Sequence, residues 1–195
     1  MKFSSKLFAI AALAGSVAGS AATAAPVTYD VDPHHTFPSF EADHMGISFW
    51  RGKINKNSGK IVLDREAGQG TVDIAIDLSS IDFGEDLLNK WALGKDFFDV
   101  KKHGKTARYS GKLNLANGDP TEVQGQLTLM GVTRPLTLKL NRFKCIPHPM
   151  LKRELCGADA AATFNREEFG LAAGKDYGFS MDVALRIQVE AVAAK

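Results

Sequence analysis

Apolar side chains recur at every second position along several stretches of this chain. From Thr71 to Ile81, Val72, Ile74, Ile76 and Leu78 share one parity, and Thr71, Asp73, Ala75 and Asp77 share the other. A period of two belongs to a β-strand, whose successive side chains point to opposite faces. The pattern returns at Val123, Gly125, Leu127 and Leu129, and then at Leu136, Leu138 and Leu140. Between these two runs, Gly131 and Pro135 punctuate the chain, so Glu122–Asn141 reads as a hairpin. A last run, Val183, Leu185, Ile187, Val189 and Ala191, alternates with Asp182, Arg186, Gln188 and Glu190. Shorter strands are predicted at Thr36–Asp43, Ile47–Ile54, Ser58–Asp64, Ala107–Leu115 and Ala158–Phe164. Turn residues at Asn57-Ser58-Gly59, Gly68-Gln69-Gly70 and Asn117-Gly118-Asp119-Pro120 separate several of them.

One stretch breaks the period. Within Gly84–Lys102, Glu85, Leu87, Leu88, Trp91 and Ala92 form a helical stripe that stops at Gly94, and Asp96–Asp99 forms a second short turn. The sum is about eight antiparallel strands with one helical insertion, which fits a barrel or a sandwich. Alternation does not choose between the two. An eight-stranded barrel has an interior just wide enough for its own side chains or one small ligand. A self-filled core and an occupied one predict the same pattern. The 195 residues show no linker, repeat or low-complexity tract, so one domain is expected.

The first residues have the three-part layout of an export signal. Lys2 and Lys6 precede an apolar run from Leu7 to Ala14, and small residues follow at Ser20–Ala25. Cleavage after Ala24 satisfies an Ala-x-Ala rule and divides the chain into a signal peptide, 1–24, and a domain, 25–195. The apolar run is shorter than the roughly 20 residues that span a bilayer, so a cleaved signal and a periplasmic protein without stable membrane insertion are expected. Formal net charge is +2, from 24 Lys and Arg against 22 Asp and Glu. Removing Lys2 and Lys6 with the signal leaves 22 of each, so the domain is neutral. A nucleic-acid partner, which calls for a basic face, is not expected.

Cys145 and Cys156 would then reside in an oxidising compartment. A disulfide is the leading reading, with a metal site near His148 and free thiols as the alternatives.

Reactive constellations are sparse. No nucleophile elbow or Gly-rich phosphate loop occurs, and Ser79, Ser80 and Ser110 lack an evident base. Asp96 and Asp99 read as turn caps. His34, His35 and His44 gather near one end, but His35 and His44 have opposite parity, and a metal site needs three or four converging ligands. No metal, cofactor or catalytic residue is expected. Arg166 reads as a structural cation paired with Asp159 or Glu168.

Several pieces, in order, resemble the YceI family of periplasmic, lipocalin-like, polyisoprenoid-binding proteins. They are Tyr29-Asp30-Val31-Asp32-Pro33-His34-His35 with Phe40 and His44, then Asp96-Phe97-Phe98-Asp99-Val100, then Gly125-Gln126-Leu127-Thr128-Leu129-Met130-Gly131-Val132-Thr133-Arg134-Pro135, and finally Asn165-Arg166-Glu167-Glu168-Phe169-Gly170. The chain departs from many members at Trp91 and at His103-Gly104. The resemblance implies an extended eight-stranded antiparallel barrel with an apolar tunnel. Its implied partner is a long isoprenoid, such as a polyprenyl quinone, or another lipid-like amphiphile, held for transport, storage or sequestration.

An enzyme acting on such a molecule and a ligand-free stress protein are the alternatives, and a homodimer is left open. The expected lining is Phe40, Phe49, Val72, Ile74, Ile76, Leu127, Leu129, Leu138, Leu185 and Ile187. Trp91, Phe97 and Phe98 are expected to close one end. Arg134, at a hairpin turn, is the candidate contact for a ligand's polar end.

Overall fold

The alternating stretches form strands, and the computed structural model describes them over residues 25–195. The export segment, 1–24, lies outside the described residues. Eleven strands make one antiparallel sheet. They are β1 (Val27–Val31), β2 (Phe37–His44), β3 (Ser48–Ile54), β4 (Asn57–Asp64), β5 (Gln69–Asp77), β6 (Ile81–Asp82), β7 (Thr106–Ala116), β8 (Asp119–Leu129), β9 (Val132–Pro147), β10 (Glu154–Asn165) and β11 (Asp182–Ala193).

The hydrogen-bonded order β1-β4-β5-β7-β8-β9-β10-β11 returns to β1, where Tyr29, Asp30 and Val31 pair with Ala193, Val192 and Ala191. This ring of eight is a closed barrel, and its closure excludes the sandwich. The free edge of β11 is shared. Below the β1 pairing, Val183–Gln188 pairs with β2, which carries β3 and β6 outward.

Several strands differ from expectation: β5 ends at Asp77, with Leu78–Ser80 in a 3-10 turn, and β9 runs on to Pro147. β1 and β6 are too short for their alternation to register. β10 starts four residues early, at Glu154, because a register shift at Asp159/Ala160 breaks its parity.

The barrel has two unlike ends. At one, the turns 65–68, 117–118 and 148–153 meet both termini of the described chain. Here Cys145 and Cys156 lie opposite each other on β9 and β10 and form a disulfide. By chain entropy such a link contributes about 3 kcal/mol. Arg65 reaches over it, its Nη2 lying 2.9 Å from Cys145 Sγ, and it pairs with Glu154 at 3.3 Å. We call this the tied end.

The other end carries the β8–β9 turn, the β2–β3 turn, the segment 166–181 and the insertion 83–105. In that insertion α1 (Asp86–Ala92) is capped by the Glu85 carboxylate, which accepts from Leu88 N at 2.7 Å. α2 (Val100–His103) follows a left-handed Asp99, at φ 40°, whose side chain makes no capping bond. The expectation that Asp99 caps a turn through its carboxylate is therefore corrected: its backbone carbonyl accepts from Lys102 and His103.

The glycine of the Gly125–Pro135 stretch has a steric cause. Tyr109, on β7, lies across the inner wall, and its hydroxyl donates to Leu136 O at 2.9 Å on β9. The ring passes over Gly125 on the intervening strand. A Cβ there would stand 2.4 Å from the Tyr109 hydroxyl and 2.7 Å from Ser110 O. Gly125→Ala is therefore expected to lower the free energy of unfolding by about 1–3 kcal/mol. Urea titration with an unchanged slope would measure it, and a wild-type midpoint would refute the ring crossing.

Candidate functional site

The inward parity of the closed ring creates a single apolar space. A cavity of about 400 Å³ runs inside the barrel, lined from Tyr29, Leu63 and Ala191 at the tied end to Trp91, Phe179 and Tyr177 at the other. Its volume falls in the range of about 300–1,000 Å³ typical of small-molecule sites. β5 contributes Val72, Ile74 and Ile76; β8 contributes Leu127 and Leu129; β9 contributes Leu138; β11 contributes Leu185 and Ile187. Phe40 joins them from β2, and Trp91, Phe97 and Phe98 from the insertion.

Two residues fall elsewhere. Phe49 is more than half exposed and shares its parity with Arg51 and Lys53, the outward face of β3. It packs under Arg51, whose guanidinium carbon is 5.9 Å from the ring centre. The inward residue is its neighbour, Trp50. Arg134 is exposed at the β8–β9 turn, donates to Thr133 O at 3.1 Å and is not on the cavity wall.

Arg166 is the cation on the wall among the described residues. It is 5% exposed, and burial pushes its guanidinium down from its ordinary value. The expected pairing with Asp159 or Glu168 does not occur. Instead its Nη1 and Nη2 donate to Leu171 O at 2.6 Å and Ala173 O at 2.7 Å. These bonds wrap 166–173 into a tight loop. Phe169 anchors the loop edge-on against Phe164, at 5.5 Å, and Phe97 faces the guanidinium at 5.9 Å.

Aromatic rings frame the second end. Trp50 lies 6.4 Å from Phe83 and 5.9 Å from Phe179, all edge to face, and His44 stacks on Trp50 at 4.4 Å. Phe83 meets Phe40 at 5.2 Å, and Trp91 meets Phe97 at 5.0 Å. Trp91 and Tyr177 both line the cavity and reach solvent, so this end is the mouth. The expected lining omits Trp50, although its parity, opposite to that of Phe49, Arg51 and Lys53, could have marked it. No local signal marked Phe83, Phe179 or Tyr177, which come from connections without a period.

Three further polar side chains on the wall are engaged. Thr36 Oγ1 donates to Glu190 O at 3.1 Å, and the Asp43 carboxylate accepts from Gly46 N and Ser180 N, each at 3.1 Å. At the floor, the Tyr29 hydroxyl donates to the Glu154 carboxylate. His35 lies outside the barrel, where its Nδ1 is 2.8 Å from Asp32 Oδ2. His44, stacked in the mouth, takes no part in that pair.

The sequence matches the YceI-like domain over residues 29–191. The chain belongs to the YceI-like family. A UPF0312 protein of Pseudomonas aeruginosa (strain LESB58) is 31% identical over 188 residues, covering 94% of this chain and 96% of the relative. One from Serratia proteamaculans (strain 568) is 30% identical over 186 residues, covering 93% and 95%. Among solved structures, Burkholderia cenocepacia BcnA superposes with a TM-score of 0.65 at 22% identity, covering 82% of this chain and 98% of BcnA. A Saccharophagus degradans domain described as polyisoprenoid-binding and implicated in plant cell wall breakdown gives 0.62 at 16% identity, covering 86% and 99%. These likenesses show that the YceI-like barrel is shared well beyond close sequence identity.

The floor of this YceI-like barrel is sensitive to alkali. Burial, with the Glu154 carboxylate beside it, pushes the Tyr29 phenol from 10.0 up to about 12. The neutral phenol is therefore favoured in the fold. Its stabilising contribution is complete below about pH 10 and is lost as pH rises toward 12. Tyr109, also raised by burial, shifts the same way. Melting temperature followed from pH 8 to 12 is expected to fall less steeply for Tyr29→Phe than for wild type, and parallel curves would refute this.

Proposed function

We propose that this protein binds a long apolar chain, an isoprenoid or comparable lipid-like amphiphile, inside the barrel. It carries, stores or sequesters that molecule in the periplasm and does not transform it. The observation that carries this reading is the continuous apolar cavity from the Tyr29 floor to the Trp91 mouth. Each methylene transferred into it contributes about 0.8 kcal/mol, so a long chain is retained without polar contacts along its length.

Engagement of the wall's polar groups also favours binding over catalysis. Tyr29, Thr36, Asp43, Tyr109 and Arg166 each spend hydrogen-bonding capacity on the fold. A catalytic centre needs groups that converge on a substrate atom and are available for proton transfer. Arg166, at the mouth end, is the natural neighbour of the ligand's polar end, because its guanidinium has five N–H donors and two hold the loop. The polyisoprenoid-binding description of the Saccharophagus degradans domain supports the same ligand class. The layout of residues 1–24 supports the periplasmic setting.

Native mass spectrometry of the protein purified from its own host tests the reading. A bound mass in the isoprenoid range is expected. Repeated recovery of empty protein, together with no uptake of polyprenyl quinone analogues, would overturn it. Ile74→Asp and Leu129→Asp each place a charge on the wall, where an unpaired charge is strongly disfavoured. Each is expected to reduce analogue binding at least tenfold, as read by intrinsic Trp fluorescence, in protein whose circular dichroism shows that it remains folded. Phe49→Asp, on the outer face, is the matched control and is expected to bind like wild type.

A further inference from the structure

The exposed apolar side chains are not scattered evenly over the barrel. Of the ten large hydrophobic residues exposed among the described residues, six surround the mouth, Met45, Ile47, Phe49, Leu87, Trp91 and Tyr177, and the other four, Val27, Ile146, Met150 and Leu151, lie at the tied end. Ile47, Leu87 and Tyr177 are about three-quarters exposed, at 76%, 75% and 76%. They come from three separate connections. Met45, Ile47 and Phe49 sit at the β2–β3 turn, Leu87 and Trp91 lie one helical turn apart on α1, and Tyr177 belongs to the segment 166–181.

Aromatic packing brings these connections together. Trp50 of β3 meets Phe179 from the third connection and Phe83 immediately ahead of α1. Gathered exposed apolar side chains at the rim of a site mark a surface that meets another apolar body.

We propose that the rim of the mouth docks onto the surface of a phospholipid bilayer, with the β2–β3 turn and α1 inserted shallowly among the headgroups. Two features favour a bilayer over a protein face. Trp91 and Tyr177 are both exposed and part of the cavity wall, so whatever covers the rim is continuous with the cavity. Their rings are amphipathic, the type enriched at the membrane–water interface. Exposed Lys90, Lys95, Lys101, Lys102 and Lys105 outnumber the exposed Glu85, Asp86 and Asp96 of the same insertion, a small basic excess that suits anionic headgroups. The ligand's route is then direct: a chain leaving the bilayer enters the barrel without crossing water.

The choice of a bilayer rests on the proposed apolar ligand, yet docking and cavity binding are measured separately. The purified protein is mixed with phosphatidylcholine–phosphatidylglycerol vesicles and floated on a density gradient. Wild type is expected to co-float. The double variant Ile47→Asp/Leu87→Asp is expected to lose about tenfold in vesicle partition while binding a water-dispersed quinone analogue as wild type does. Met150→Asp, on the exposed turn at the tied end, is the control and is expected to co-float normally.

Wild type that fails to co-float, or a double variant that floats like wild type, would overturn the proposal. So would a wild-type dimer, seen by sedimentation, that the double variant dissolves without any vesicle binding; the rim would then meet a second copy. Vesicle docking with no uptake of the analogue would retain the docking face and overturn the ligand reading instead.

Discussion

The structure depends on how one edge of β11 is divided. Along its first half this strand pairs with β2, and along its last residues with β1. The β1 contact closes the ring of eight and removes the exposed edges that an open sheet must otherwise protect. The β2 contact sends a second limb, β2-β3-β6, outward at the mouth. One end of the barrel is therefore a tight ring, and the other is walled by a hairpin, a short helix and two irregular segments. The floor and the mouth of the cavity follow from that division.

The interior is apolar because nearly every polar group facing it has been given a partner. Burying a hydroxyl or a guanidinium without one costs several kcal/mol. The wall meets this constraint by turning such groups back on the backbone. Tyr109 reaches a strand carbonyl, Arg166 holds two loop carbonyls, and Thr36 bridges to Glu190 O. What remains is a largely hydrocarbon surface. In the proposed binding role, such a surface would discriminate by length and flexibility more than by hydrogen bonding.

Much of this was legible in the sequence, and the reason is periodicity. Val72, Ile74 and Ile76, and likewise Leu127 and Leu129, announced their face by alternating with polar residues, and the cavity wall uses that face. Phe49 lies off the wall because its parity is that of Arg51 and Lys53, which mark that side of β3 as outward. A turn position does not reveal that Arg134 faces away from the cavity, and a sequence does not display the backbone carbonyls that hold Arg166. Closure was legible only through the family resemblance and not through periodicity. The β1–β11 pairing joins Tyr29 to Ala193, residues at opposite ends of the described chain, and five residues of β1 carry too few side chains to show a period.

The two ends of the barrel are held by different kinds of contact. A covalent bond, a guanidinium–carboxylate pair and the β1–β11 ladder fasten one end. Ring-edge contacts and loop carbonyls hold the other. Local opening follows the weaker set, so backbone amides should exchange with solvent on a gradient along a single strand. In β11 the amides near Val192 are expected to be the slowest and those near Val183 the fastest. The molecule would then breathe like a bellows sealed at one end.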